Sequence, residues 1–425
     1  MLITNFITLM KTKYILFLFL TSCLVFFWNT KSEAQLKKIN DDWDSFVKEY
    51  SIEIQLNDTT NLKKVLQFVN NKKIVFLGEN SHFVNEFSII KRNLIKYFHK
   101  NGGVNLLLFE AGLWDVYISF YFKDSLDSKN LMKNSLHQVW WNDENISLMD
   151  YLKNSDIKVM GFDCNPSSPF SRGLTKKYFE KFSPQLSSII NTTDSLYFIY
   201  QYFNSLKNMS NFTSKKRLEK IDSLKNISSQ NYKIILENIG NYRINQSKED
   251  SLTFSIFCRS VSDKLFLMEH SNKKNAGKLR ENLMASNIEY IINNIFPNEK
   301  AIAWAHNYHI VEMPKLFKNI DNNSVYKLGL YYYSGEVGLM FSQKNKFINK
   351  HRKKSIENII FHSGFRNTFI DFSNQKNRNN SNEWLFRKIS SRVGVYNTKI
   401  IPNKKYDGII LIDKVSASQI IKFYE

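Results

Sequence analysis

Cysteine is scarce, three residues in 425. No two stand in a C-x-x-C pair, so neither a disulfide scaffold nor a zinc ribbon organises the chain. Cys164 and Cys258, the two in the body of the chain, read as buried thiols. No H-E-x-x-H occurs, which removes the usual sign of a helix-borne zinc hydrolase. No G-x-S-x-G occurs either, so a serine hydrolase lacks its nucleophile marker. Acidic residues are in deficit, 39 against 59 Lys and Arg, for a formal net charge of +20. Such an excess suits an anionic partner. The lysines are spread along the chain, however, with no basic-aromatic module of the RNA- or DNA-binding kinds. A solvated surface without a nucleic-acid partner is the reading. The apolar stretch Tyr14–Trp28 falls short of the ~20 residues that span a bilayer.

What is present is a globular composition, 43% hydrophobic and 15% aromatic, enough for a large core in one or two domains. Lys11 and Lys13 precede the apolar stretch, and Ser32-Glu33-Ala34 follows it before Gln35. This reads as a signal peptide over 1–34, exporting a body of residues 35–425, in a diderm to the periplasm. Two alternatives would tether that body to a membrane. Leu20-Thr21-Ser22-Cys23 resembles a lipoprotein box that lipidates Cys23, and the apolar stretch could stay uncleaved as an anchor.

A polar, helical leader, Asp41–Tyr50, opens the body. Strand signals follow at Ile74–Leu77, Val104–Phe109, Ile157–Phe162, Ala301–Trp304, Ser324–Tyr333, Val337–Phe341 and Gly408–Ile412. Phe87, Ile90, Leu94 and Phe98 form one apolar stripe at helical spacing, with Asn85 as the expected N-cap. Alternating strands and helices predict an α/β fold, a mostly parallel central sheet flanked by helices. Strand signals vanish between about 173 and 298. There the stripes Phe254, Phe257, Val261, Leu265, Met268 and Leu279, Leu283, Ile288, Ile291, Ile295 predict a large helical insertion. Its position makes it a candidate lid. Asn374–Asn382 and Lys215–Lys220 read as solvated surface.

Four predicted strands end in acid or imidazole. Glu79 and His82 follow Ile74–Leu77, Glu110 closes Val104–Phe109, Asp163 closes Gly161-Phe162, and Ala305-His306-Asn307-Tyr308-His309 follows Ala301–Trp304. The C-terminal edge of a parallel sheet is where such folds bind ligands. Each cluster alone is ordinary: a cap, a turn or a loop would explain it. Their common position points to a site.

In order and composition these pieces resemble the erythromycin esterase family. The opening motif is Gly78-Glu79-Asn80-Ser81-His82-Phe83-Val84-Asn85-Glu86-Phe87. Then come Glu110, Gly161-Phe162-Asp163, Arg280-Glu281-Asn282-Leu283-Met284-Ala285, Ala305-His306-Asn307-Tyr308-His309 and Tyr406-Asp407-Gly408-Ile409-Ile410. The resemblance spans roughly 70–415. It departs at Lys91, where arginine is common, at Glu281, where aspartate is usual, and at Tyr308 within the second histidine motif. What it implies is hydrolysis of the macrocyclic lactone of 14-membered macrolides such as erythromycin, conferring resistance.

On that resemblance His82 is expected to deprotonate a water, with Glu79 or Glu110 orienting it. His306 and His309 would position water or leaving group, and Arg280 would stabilise the oxyanion or pair with a site carboxylate. Glu86, Lys91, Asp163, Asn307 and Tyr308 are expected to contact substrate. Glu79, His82, His306 and His309 would also suit a zinc-like ion, but the resemblance favours a site with no cofactor and no metal. Trp114, Trp140, Trp141 and Tyr308 are candidates to wall a cleft for a large apolar ring. Cys164, beside Asp163, is a nucleophile candidate without a motif. The alternatives are a hydrolase of another ester, lactone or peptide, with or without a metal, and a non-catalytic binding protein on the same fold.

Overall fold

The computed structural model describes residues 42–206, 215–242, 247–272, 274–339, 342–348 and 351–422. The predicted export segment, with Cys23, lies outside the described residues. Among the described residues no helix is long and apolar enough to cross a membrane. The strands are β1 Ser51–Glu53, β2 Ile74–Leu77, β3 Val104–Gly112, β4 Lys158–Asp163, β5 Lys300–Trp304, β6 Val325–Leu339, β7 Ser342–Ile348, β8 Asn367–Asp371, β9 Ile389–Val393, β10 Tyr396–Ile400 and β11 Gly408–Val415. One sheet runs β1-β8-β11-β6-β2-β5-β3-β4, with β7 on β6, and β9–β10 is a separate hairpin. From β11 to β4 every pairing is parallel; β8 and β7 pair antiparallel to their neighbours.

Period-2 side-chain alternation gives the sheet two buried faces. Ile74 and Phe76 of β2 join one apolar cluster, and Val75 and Leu77 join the other. The helix Asn85–Gly102 covers the second face through Phe87, Ile90, Leu94 and Phe98, the predicted stripe. The first face is covered by the helix over 42–50 and by the predicted insertion between β4 and β5. That insertion comprises the helices Ser171–Glu180, Pro184–Leu206, Lys215–Ile239, Lys248–His270 and Ala276–Tyr290.

Several details differ from the sequence reading. Ser324–Tyr333 and Val337–Phe341 are one strand, β6, because its pairing with β11 continues through Ser334 and Gly335; Phe341 itself lies outside the described residues. Asn85 does not cap its helix. Val84 holds the cap position, bridged to Ala417, and the Asn85 N–H donates to Ser416 O. Cys164 is buried as expected, while Cys258 is half buried; neither is in a disulfide. β1, β7, β8 and the β9–β10 hairpin were not anticipated. Their short segments mix polar with apolar residues and lack a strong apolar alternation, although β8 and most of β9 are buried.

Candidate active site

The C-terminal ends of β2, β3, β4 and β5 meet on one edge, and a cleft of about 900 Å³ opens above them. Chain connections leave this region in opposite directions, β2 toward β3 and β5 toward β6, the topology that opens a crevice in parallel sheets. Two glycines make the local geometry feasible. A Cβ on Gly78 would stand 2.0 Å from Asn307 Oδ1, so the absent side chain lets the His306–Asn307 turn pack on the end of β2. At β3 and β4, Phe109 pairs with Gly161 and Gly112 with Asp163, so two β3 residues face one on β4. This bulge turns Glu110 toward the cleft, and a Cβ on Gly161 would meet the Ala111 and Gly112 carbonyl oxygens at 2.4 Å.

Glu79 is buried and takes three donors. His82 Nδ1 lies 2.7 Å from Oε1, Trp140 Nε1 donates to Oε1 at 2.9 Å, and Lys91 Nζ donates to Oε2 at 2.7 Å. Burial alone would raise its pKa; the Lys91 ammonium and His82 overcome that and hold it at about 2. An ionised carboxylate only accepts, so the proton of neutral His82 sits on Nδ1 and its Nε2 lone pair is free. The His82 side chain is 18% exposed and lines the cleft. Phe83, next to it, adopts φ 58°, a strained conformation that fixes the turn.

His306 sits 5.1 Å from His82, ring to ring. Its Nδ1 accepts the Tyr308 N–H at 3.2 Å, capping the helix Asn307–Glu312, so its remaining proton is on Nε2. Burial, and then the neighbouring His82, push its pKa down to about 4. His309 is the opposite case. Its Nε2 is 3.0 Å from Glu110 Oε1 and its Nδ1 2.6 Å from Glu281 Oε1. Burial would lower its pKa, but Glu110 and Glu281 outweigh burial and raise it to about 9. Glu110 also accepts the His306 backbone N–H at 2.9 Å and Arg280 Nη2 at 3.2 Å. Arg280 grips Asp163 through Nε at 3.1 Å and Nη2 at 2.5 Å. Against the cost of burial, these cations hold Glu110 and Asp163 well below the usual carboxylate range.

The structure therefore gathers Glu79, His82, Glu110, Arg280, His306 and His309 around one cleft, although their positions span most of the chain. Of the residues expected to contact substrate, Tyr308 lines it, 58% exposed. The others do not. Glu86 binds the Ser416 N–H and hydroxyl, Lys91 lies fully buried beneath Glu79, Asp163 is buried against Arg280, and Asn307 is buried with its amide donating to Leu330 O. Trp140 and Trp141 wall the cleft, whereas Trp114 packs in the core against Phe257. Cys164 is buried and does not line the cleft, and burial pushes its thiol up, the setting of an inert thiol. Sequence reasoning missed His137 and the Val393–Tyr396 hairpin tip on the cleft wall, and the role of Glu281 as partner of His309. For Glu281 a signal existed, its place next to Arg280; for the hairpin none did.

The family model described as Erythromycin esterase matches residues 101–415. A Bacillus subtilis (strain 168) protein named "Putative hydrolase YbfO" is 24% identical, over 89% of this chain and 92% of its own length. The "Erythromycin esterase type II" of Escherichia coli is 23% identical, over 89% and 99%. Among solved structures, a Bacillus cereus protein superposes with a TM-score of 0.65 at 17% identity, covering 90% of this chain and 99% of that one. A mutant of the erythromycin esterase EreC in its open conformation gives 0.57 at 14% identity, covering 86% and 96%. At such identities the structural likenesses establish the fold alone.

Proposed function

The chain belongs to the erythromycin esterase family and is a hydrolase, and from that premise we propose that it opens the macrocyclic lactone of 14-membered macrolides such as erythromycin, with His82 as the base. The observation that carries this reading is the Glu79–His82 pair at the cleft floor: a buried carboxylate that fixes the imidazole tautomer and leaves Nε2 facing open space. In this reading Nε2 takes a proton from a water as its oxygen attacks the lactone carbonyl. The Nε2–H of neutral His306, one ring away, donates to the developing oxyanion. Arg280, held by Asp163 and Glu110, supplies positive potential from the cleft wall. Glu110 aligns His306 through its backbone N–H. Above this polar floor the rim is apolar and aromatic, with Trp140, Trp141, Tyr308 and Tyr396 suited to a large ring.

The reaction is read as metal-free. The acids near the imidazoles already bind cations or N–H donors, and among the described residues no three His, Cys, Asp or Glu side chains converge as a metal site requires. The body acts outside the cytoplasm, delivered by its leader, and confers macrolide resistance there. Incubation with erythromycin is the direct test: the product should be heavier by one water, and treatment with a chelator should leave the rate intact. Erythromycin recovered unchanged from folded protein would sink the macrolide assignment.

A further inference from the structure

Four imidazoles line the cleft: His82, His137, His306 and His309. Two of them are ill placed to supply a proton to a departing alcohol, and a third, His82, can only return the one it took from water. His82 is the acceptor, and its ring is anchored through Nδ1 to Glu79, on the side where water attacks. His306 is neutral and spends Nδ1 on the Tyr308 N–H, and the N–H of a neutral imidazole is a very weak acid. His309 has both nitrogens committed to Glu110 and Glu281. Apart from the base itself, His137 is the one of the four that combines an open face with a single carboxylate partner.

From this partition we infer that His137 is the general acid that protonates the leaving alkoxide. The inference deepens the ester-hydrolysis reading and rests on it. His137 is 30% exposed on the cleft wall, and its Nε2 lies 3.8 Å from Oδ2 of the wholly buried Asp163. The carboxylate faces one nitrogen and leaves the other edge of the ring for substrate. His82 and His137 each stand edge-on to Trp140 at 6.1 Å between ring centroids, so one indole spaces base from acid. The same indole N–H fixes Glu79, which ties the spacing to the base's own anchor.

The step balances. Water adds to the carbonyl carbon and its proton moves to His82 Nε2. As the tetrahedral intermediate collapses, the acyl C–O bond breaks, its electron pair stays on the alcohol oxygen, and that oxygen takes the His137 proton. The acid product ionises, and solvent exchange returns His82 and His137 to their starting states.

Leaving-group dependence tests it, because an alkyl alkoxide needs a proton and 4-nitrophenolate does not. The full chain and its His137→Gln variant are compared on ethyl acetate and 4-nitrophenyl acetate. For the variant, kcat/KM on the alkyl ester should fall by about 10²-fold, at least about tenfold more than on the aryl ester. Equal losses on both esters, or none on either, would overturn the assignment while leaving the ester reading standing. A wild-type chain that cleaves neither these esters nor erythromycin overturns the ester reading, and this inference with it; one that opens erythromycin alone is judged on that alkyl lactone, where an unchanged His137→Gln rate overturns the assignment. If the melting temperature shows that glutamine disturbs the fold, His137→Asn is judged by the same ratio.

Discussion

His82 and His309 are the same residue type in the same cleft, and their partners give them opposite chemistry. One carboxylate on Nδ1 leaves His82 with a free lone pair; two carboxylates leave His309 with none. His82→Ala should therefore lower kcat/KM by about 10²–10⁴, with the melting temperature close to wild type because the ring is partly exposed. Steady-state kinetics beside a thermal melt checks both halves, and a folded variant with normal turnover would discard the base assignment. For His309 the expected effect is on stability. Its folded pKa, about 9, is above the ordinary 6.5, so its stabilisation is complete below about pH 6.5 and disappears as pH rises through about 9. Melting temperatures of wild type and His309→Gln should differ most in mildly acidic buffer and converge by about pH 10; a gap that stays constant would contradict the ion-pair account.

At the level of elements, the β3–β4 pairing places the acids. The bulge aims Glu110 at the cleft, and it exists because Gly161 lets the β3 backbone come close. Gly161→Ala sets a methyl against two carbonyl oxygens at 2.4 Å that have no flexible end to yield. It should cost about 1–3 kcal/mol, seen as a lower urea midpoint, and lower turnover by displacing Glu110. Unaltered stability would show that the strands can slide apart at little cost. The Gly161-Phe162-Asp163 triplet was legible as a strand end, and its glycine is now explained by close backbone approach. The β9–β10 hairpin was illegible, although its tip reaches the turn that follows β2: the Gly394 N–H donates to Asn80 O at 2.5 Å, and the Tyr332 hydroxyl to Gly394 O at 2.7 Å. Such loop-to-loop contacts leave no periodic trace along the chain.

Across the whole molecule, the helical insertion supplies Phe198 and Arg280 to the cleft wall, so it borders any bound ligand. If it closes over substrate, erythromycin should slow limited proteolysis within 173–298; cutting that ligand leaves unchanged would count against a lid. The alternation of the parallel strands with helices, the two-faced sheet and the acids and imidazoles at strand ends could be read directly from residue order, while β1, β7, β8 and the β9–β10 hairpin could not. Side-chain alternation and helical stripes are local properties, and a polar residue ending a buried strand must emerge at the sheet edge. Only the tertiary structure decided which charge meets which: Lys91 with Glu79, Arg280 with Asp163, His309 between Glu110 and Glu281. Protonation states follow from those encounters, because distance and burial, rather than sequence separation, set the field at each group.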